Sequence, residues 1–248
     1  MARLCRLVIA ALILVPAMVP ASPPAAPGGP GSIPGLFGTF RPVPGVWAEY
    51  RVKDKDTGRQ IRMRMSIVGK EGDGVWYEVV QDEGGSRNIV KMLVRGDPND
   101  PDNIERLILK SGDSPAMEMP RDFVAMGRRM AMHMFERRSG VPAEGTGALR
   151  VVEEGRRTVT VPAGTFRVTL RKIVDPGGKV LATYAYDPDV LPFGVVTSDT
   201  GRTSMELLAH GRDARSLITG TPAPMGFPPG MPEGLPRGMP PGMPGAGN

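Results

Sequence analysis

The stretch 159–173, VTVPAGTFRVTLRKI, decides how the chain is read. Two runs of alternating apolar and polar residues meet at Pro162-Ala163-Gly164. Proline has no N–H to give to a sheet ladder, so Pro162 belongs at a strand edge or break. Gly164 supplies the bend, and the alternation then restarts with Phe166, Val168 and Leu170 on one face. A phosphate-cradling loop needs several glycines opening onto a helix, whereas a strand follows here. The spacing therefore predicts a corner in a sheet, a matter of architecture and not of chemistry.

The same period-2 signal recurs on both sides. In 46–53, VWAEYRVK, Val46, Ala48, Tyr50 and Val52 share a face. In 59–69, RQIRMRMSIVG, Ile61, Met63, Met65 and Ile67 oppose Arg62, Arg64 and Ser66. Further strands are predicted over 75–81, 87–95, 104–110, 157–162, 165–174, 179–186, 194–199 and 203–209. Clusters of Gly, Asp and Pro such as DEGGS and DPGGK separate most of them, which favours antiparallel neighbours. About ten strands in one sheet must curl, because twist accumulates from strand to strand. The expected fold class is mainly β: a curved antiparallel sheet, an incomplete β-barrel, with one amphipathic helix over its concave face.

That helix is predicted in 120–140, PRDFVAMGRRMAMHMFERRSG. Phe123, Met126, Met130 and Met134 fall at i, i+3, i+7 and i+11, while Arg128, Arg129, Arg137 and Arg138 lie mainly elsewhere around the axis. Pro120 and Asp122 suit its start and Gly140 its end.

The two ends differ from this domain. Arg3 and Arg6 precede the apolar run Leu7–Val15, and Val19-Pro20-Ala21 fits an export cleavage site. Even continued to Val19, that run would reach only about 20 Å as a helix against a hydrocarbon core of ~30 Å. Residues 1–21 are therefore expected to be a signal peptide, leaving no transmembrane span after cleavage and a periplasmic or secreted protein. Residues 22–35 are a Pro/Ala/Gly linker, 36–219 the β-rich domain, and 220–248 a disordered tail with a Gly-Met/Leu-Pro unit recurring at Gly230, Gly234, Gly238 and Gly242.

Composition narrows the chemistry. Cys5 is the only cysteine and precedes the apolar run, so the mature chain would offer no thiol, disulfide or zinc–thiolate site. The net charge is +5, or +3 without Arg3 and Arg6, which does not point to nucleic acid. The two histidines, His133 and His210, lie far apart, and no G-x-S-x-G elbow accompanies either. DPNDPDN at 97–103 departs from a calcium loop after Asp97 and Asn99, and reads as Asp-Pro turns. Met126, Met130, His133 and Met134, or the tail residues Met225, Met231, Met239 and Met243, could offer soft donors to Cu(I). A methionine stripe at helical spacing is first a packing face, so no metal ligand and no cofactor is assigned, and Met-based copper handling stands as a second alternative function.

VTVPAGTFRV, followed by YAYDPDVLPFGVVTSDTGRTSMELLAHGRDA at 184–214, resembles exported bacterial proteins of unknown function that carry a VPAGTF segment. Those proteins are similar in outline to the lipoprotein-localisation factors LolA and LolB. The resemblance implies an incomplete barrel with helices over an apolar cavity, an envelope location and a lipid-related role; it supplies no catalytic residues. On this reading Ile61, Met63, Met65, Ile67, Phe123, Met126, Met130 and Met134 would line a site for an apolar or lipid-like ligand. Arg128, Arg129, Arg137 and Arg138 would meet anionic head groups at its mouth. The alternative partner is an envelope protein reached through the Pro-rich tail.

Overall fold

The computed structural model describes residues 40–98, 101–120 and 150–224. Within them the chain forms one large, curved, unclosed sheet of twelve strands. These are Trp47–Asp54 (β1), Gln60–Glu71 (β2), Gly74–Glu83 (β3), Ser86–Val94 (β4), Ile104–Ser111 (β5), Met117–Glu118 (β6), Arg150–Val161 (β7), Gly164–Val174 (β8), Val180–Tyr186 (β9), Val195–Asp199 (β10), Thr203–Gly211 (β11) and Ala223–Pro224 (β12). Their spatial order is β12-β6-β5-β4-β3-β2-β1-β11-β10-β9-β8-β7. Every pairing is antiparallel except that of β6 with β12. The predicted helix over 120–140, with Phe123, Met126, Met130, Met134 and its arginines, lies outside the described residues except for Pro120, and no α-helix occurs within them.

The alternation read from the sequence sets the core. Cross-strand partners Ala48↔Met65, Tyr50↔Met63 and Val52↔Ile61 put the apolar sets of β1 and β2 on one face. Tyr50, Met63, Ile67, Val168, Phe193 and Leu207 are all fully buried in one cluster. Each such side chain contributes about 1.5–3 kcal/mol relative to exposure. The β9–β10 connection packs Val190, Leu191 and Phe193 into this cluster, where Phe40, Tyr77 and Phe193 meet edge-on or tilted with centroids 5.2–6.0 Å apart.

VPAG is a full reversal and not a corner. Val161 pairs with Gly164, so β7 and β8 form a hairpin turning through Pro162-Ala163. Pro162 fixes its own φ and needs no ladder partner there, and Gly164 takes φ +134°. The turn also bears on the curl of the sheet. β10 pairs with β11 only from Ser204 to Glu206, so the next residues of β11 have no β10 partner. Ala163 N donates to Leu207 O there at 3.3 Å, and the Phe166 ring lies 5.8 Å from that of His210. The hairpin tip thus reaches across the short β9 and β10 to β11, bending the sheet without closing it.

The opposite face carries a second, smaller core. Residues 212–224 cross it as a strap, from Ala214, whose N–H donates to Gly45 O at 2.8 Å, to Ala223, whose N–H donates to Ala116 O at 2.9 Å. Ile218 is buried there with Val80, Ile89 and Ile108, flanked by Trp76 and Ala116. The strap ends as β12, inside the 220–248 stretch that the sequence assigned to the tail.

Candidate functional site

Three features of the sheet could carry a function. The first is the apolar face. Of the sequence-predicted ligand contacts, Met63, Met65 and Ile67 are buried inside the main core, at 0%, 4% and 0% exposure, and Ile61 is half-buried at its margin. They are brought together, Met63, Met65 and Ile67 as packed floor and Ile61 half-buried beside them. The same face continues beyond them. Through Val79↔Val90↔Leu109 and Tyr77↔Met92↔Leu107, β3 hands the apolar stripe on to β4 and β5. Leu107, Leu109 and Met119, each buried, form a further cluster with Val90 and Met92 packed against it, and Met92 also packs against the main core. Sequence reading marked these strands without singling out their side chains, because alternation shows which residues share a face and not where the packed core stops.

The second is a furrow of about 750 Å³ across β8, β9, β10, β11 and β1. Thr183, Thr197 and Ser204 lie along it, with Arg51, Glu206 and Asp199 among its charged residues. Its charges are largely satisfied from within: Arg51 pairs with Glu206 at 2.6 Å, Lys55 with Asp199 at 2.6 Å, and Lys172 with Glu154. Arg171, only 16% exposed, pairs with Glu153 at 2.7 Å and lies 4.1 Å from the Tyr186 ring centre. Burial pushes the ionisation of the neighbouring Tyr184 hydroxyl upward, and Arg171 draws it part of the way back. Such a surface offers hydroxyls and compensated charge.

The third is Glu78, 1% exposed on the strap side of β3. Ser216 Oγ donates to its Oε2 at 2.6 Å and Leu217 N to its Oε1 at 3.0 Å. This carboxylate is the polar anchor of the strap. In the sequence it stands inside the apolar run VWYEVV, which marks it as a charge that must find a buried partner.

The remaining candidates place simply. His210 is exposed on β11, and His133 lies outside the described residues. Asn103 Nδ2 donates to Asp97 O at 3.0 Å beside the 3₁₀ turn Pro101–Asn103, as a turn would. Among the described residues no three His, Cys, Asp or Glu side chains gather as metal ligands, and no helix is long and apolar enough to cross a membrane. The tail methionines lie outside the described residues.

No protein-family model matches the chain, and no curated protein matches it. Solved structures do align. One is a protein of Bacteroides fragilis described as exported with a YmcC-like fold, at 13% identity, covering 71% of this chain and 99% of that one, with a TM-score of 0.28. A lipoprotein-like protein of Parabacteroides distasonis aligns at 12% identity over 69% and 97%, with a TM-score of 0.31. MucB of Pseudomonas aeruginosa, solved with MucA, aligns at 9% identity over 71% of this chain and 55% of its own, with a TM-score of 0.31. Likeness this remote carries no activity, ligand or partner across to this chain.

Proposed function

We propose that the chain is an exported, non-enzymatic protein of the cell envelope that works by binding an apolar or lipid-like ligand on the core-bearing face of its half-barrel. One observation supports the reading: the apolar stripe of the core-bearing face runs on over β4 and β5, where Leu107, Leu109 and Met119, at 5%, 6% and 6% exposure, form a further cluster that meets the main core through Met92. An apolar stripe extending along a curved sheet, beside a floor that keeps its shape, is a framework on which acyl chains could be received. Phe123, Met126, Met130 and Met134, which follow Met119 in the chain, are the proposed facing contacts, and Arg128, Arg129, Arg137 and Arg138 the proposed head-group contacts. Methionine suits such a wall because its flexible, polarisable side chain fits varied apolar partners. Native mass spectrometry of the protein purified from its own compartment tests this. Bound lipid is expected; a ligand-free protein that also ignores fluorescent fatty-acid probes overturns it.

A second reading, an interaction module of the envelope, is favoured by the strap. Glu78 and the β6–β12 pair fix the point from which residues 225–248 continue, so a partner bound by that Pro/Gly/Met segment would be held at a defined place on the sheet. Deleting 225–248 should remove co-purifying proteins on this reading and leave lipid binding intact on the first.

A further inference from the structure

We propose that β7 is a self-complementary edge through which two copies of the chain pair into a two-fold dimer. β7 ends the sheet, and its only strand partner among the described residues is β8. It is exposed along nearly its whole length, including Val152 at 43%. A strand edge in this state presents unpaired N–H and C=O groups as a template for another strand.

The sequence of that edge, RVVEEGRRTVTV over 150–161, places two acids before Gly155 and two arginines after it. The bulge between Glu153 and Gly155 decides which of them can meet. Glu153 pairs with Arg171 and Arg156 with Thr169, two apart on β8, so Glu153 and Arg156 share a face. Val152 pairs with Lys172 and Arg157 with Val168, on the other face, and the Glu154–Lys172 ion pair puts Glu154 there as well. An antiparallel second copy, with the two-fold axis between Glu154 and Gly155, then satisfies every face at once. Glu153 stands opposite Arg156 of the second copy, Val152 opposite Arg157, and Val151 opposite Thr158, while Glu154 is diagonal to Arg157. Both ion pairs occur twice by symmetry. Arg156 and Arg157 have no partner of their own among the described residues, and Glu153 and Glu154 keep Arg171 and Lys172 on their inner side.

Charges on an edge strand ordinarily deter pairing. This order deters only the wrong kind: parallel in-register strands would set Glu against Glu and Arg against Arg, and a slip of one residue would oppose unlike faces. The other end of the sheet is the two-residue β12, which contains Pro224, so pairing closes at two copies and does not propagate. A single strand edge is a small interface, and the dimer should dissociate on dilution through the micromolar range.

Sedimentation equilibrium of the exported chain tests this, from low micromolar to submillimolar concentration. Wild type is expected to show a monomer–dimer equilibrium. Arg156→Glu should weaken it about tenfold or more, since like charges then face each other twice. An equimolar mixture of Arg156→Glu and Glu153→Arg proteins should associate again, because each contact regains one acid and one base. Glu153→Arg also removes the partner of Arg171; should that variant not fold, Val151→Cys/Thr158→Cys in a Cys5→Ser background decides. Those positions are about 23 Å apart within one strand, too far to bridge, yet opposed across the proposed axis. Oxidation should therefore give a covalent dimer. A wild type that stays monomeric, a dimer indifferent to Arg156→Glu, or a double-cysteine protein that does not cross-link overturns the proposal.

Discussion

Replacing Glu78 by alanine should detach the strap, and the size of the effect follows from its contacts. The carboxylate is 1% exposed and accepts from Leu217 N at 3.0 Å and Ser216 Oγ at 2.6 Å. Ser216 keeps other work, since Ile218 N donates to its Oγ and its hydroxyl can turn to Ile218 O. Leu217 N–H loses its acceptor. A part-buried donor that water can partly reach costs about 1 kcal/mol when orphaned, and the space left by the buried Glu78 side chain raises the total to roughly 2–3 kcal/mol. Glu78→Gln keeps an acceptor for Leu217 and a donor that the Ser216 oxygen can accept. It should remain within about 1 kcal/mol of wild type, the more so because an uncharged amide is cheaper to bury. Urea unfolding followed by tryptophan fluorescence reads both, as Trp76 packs against the Ile218 cluster. Limited trypsin digestion should open the Glu78→Ala protein first at Arg212 or Arg215, inside the strap. Equal costs for the two substitutions, or an unchanged digestion rate, would refute the anchor.

Gly194→Ala should be among the most damaging single-methyl additions. Gly194 sits at φ +80°, and a Cβ there would lie 2.2 Å from Tyr186 Cε2, so several kcal/mol are expected in urea unfolding. Alkaline pH should unfold the protein through its buried tyrosines. Burial raises the ionisation of Tyr50 and of Tyr77, so their contribution is whole below the unfolded value of about 10 and is lost as pH rises toward the folded values. Tyrosinate absorbance should therefore appear together with loss of circular dichroism, and Tyr50→Phe should soften that transition. On the acid side, hydrogen bonding from Arg106 holds the Glu118 carboxyl below its usual range, with burial opposing and the Arg106 charge assisting. That contribution is present above the unfolded value of about 4.3 and fades as pH falls through the folded one. Thermal midpoints measured against pH should fall less steeply in Glu118→Gln.

Much of the sheet was legible because alternation has a single physical cause, one face buried and one wet. Val46, Ala48, Tyr50 and Val52, and Met63, Met65 and Ile67, were read as faces and are faces. The hairpin at Pro162-Ala163 was read as a bend, since a Pro-Gly break has the same local signature whether the chain turns by a right angle or comes back on itself. The distinction lies in pairing with residues such as Phe166, which only the fold supplies. The first half of β7 was missed for a related reason: Arg150–Arg156 is an exposed edge, so nothing imposes a buried period on it. The strap was hidden too. Its anchor is a carboxylate more than a hundred residues away in sequence, and no local pattern announces such a contact.

The ligand contacts were the hardest to place, because an apolar side chain in a strand gives the same signal as packed floor and as binding surface. Met63 and Leu107 are indistinguishable by periodicity and both are buried, yet Met63 lies in the main core and Leu107 in the smaller cluster that meets it through Met92. The difference arises from where the sheet's own insertions reach. The β9–β10 connection spends Val190, Leu191 and Phe193 on the part of the face nearest β1–β3, and that part becomes solid. On the proposed reading the stripe on β4 and β5, whose Leu107, Leu109 and Met119 are themselves 5–6% exposed, is the part of the face beside which the ligand would lie. Leu107→Ala should therefore lower lipid occupancy in native mass spectrometry by a larger fraction than Met63→Ala does among the molecules that remain folded. Met63→Ala should be the costlier for stability, by about 2–5 kcal/mol. The reverse ranking would mean that the packed floor, and not its continuation, faces the ligand.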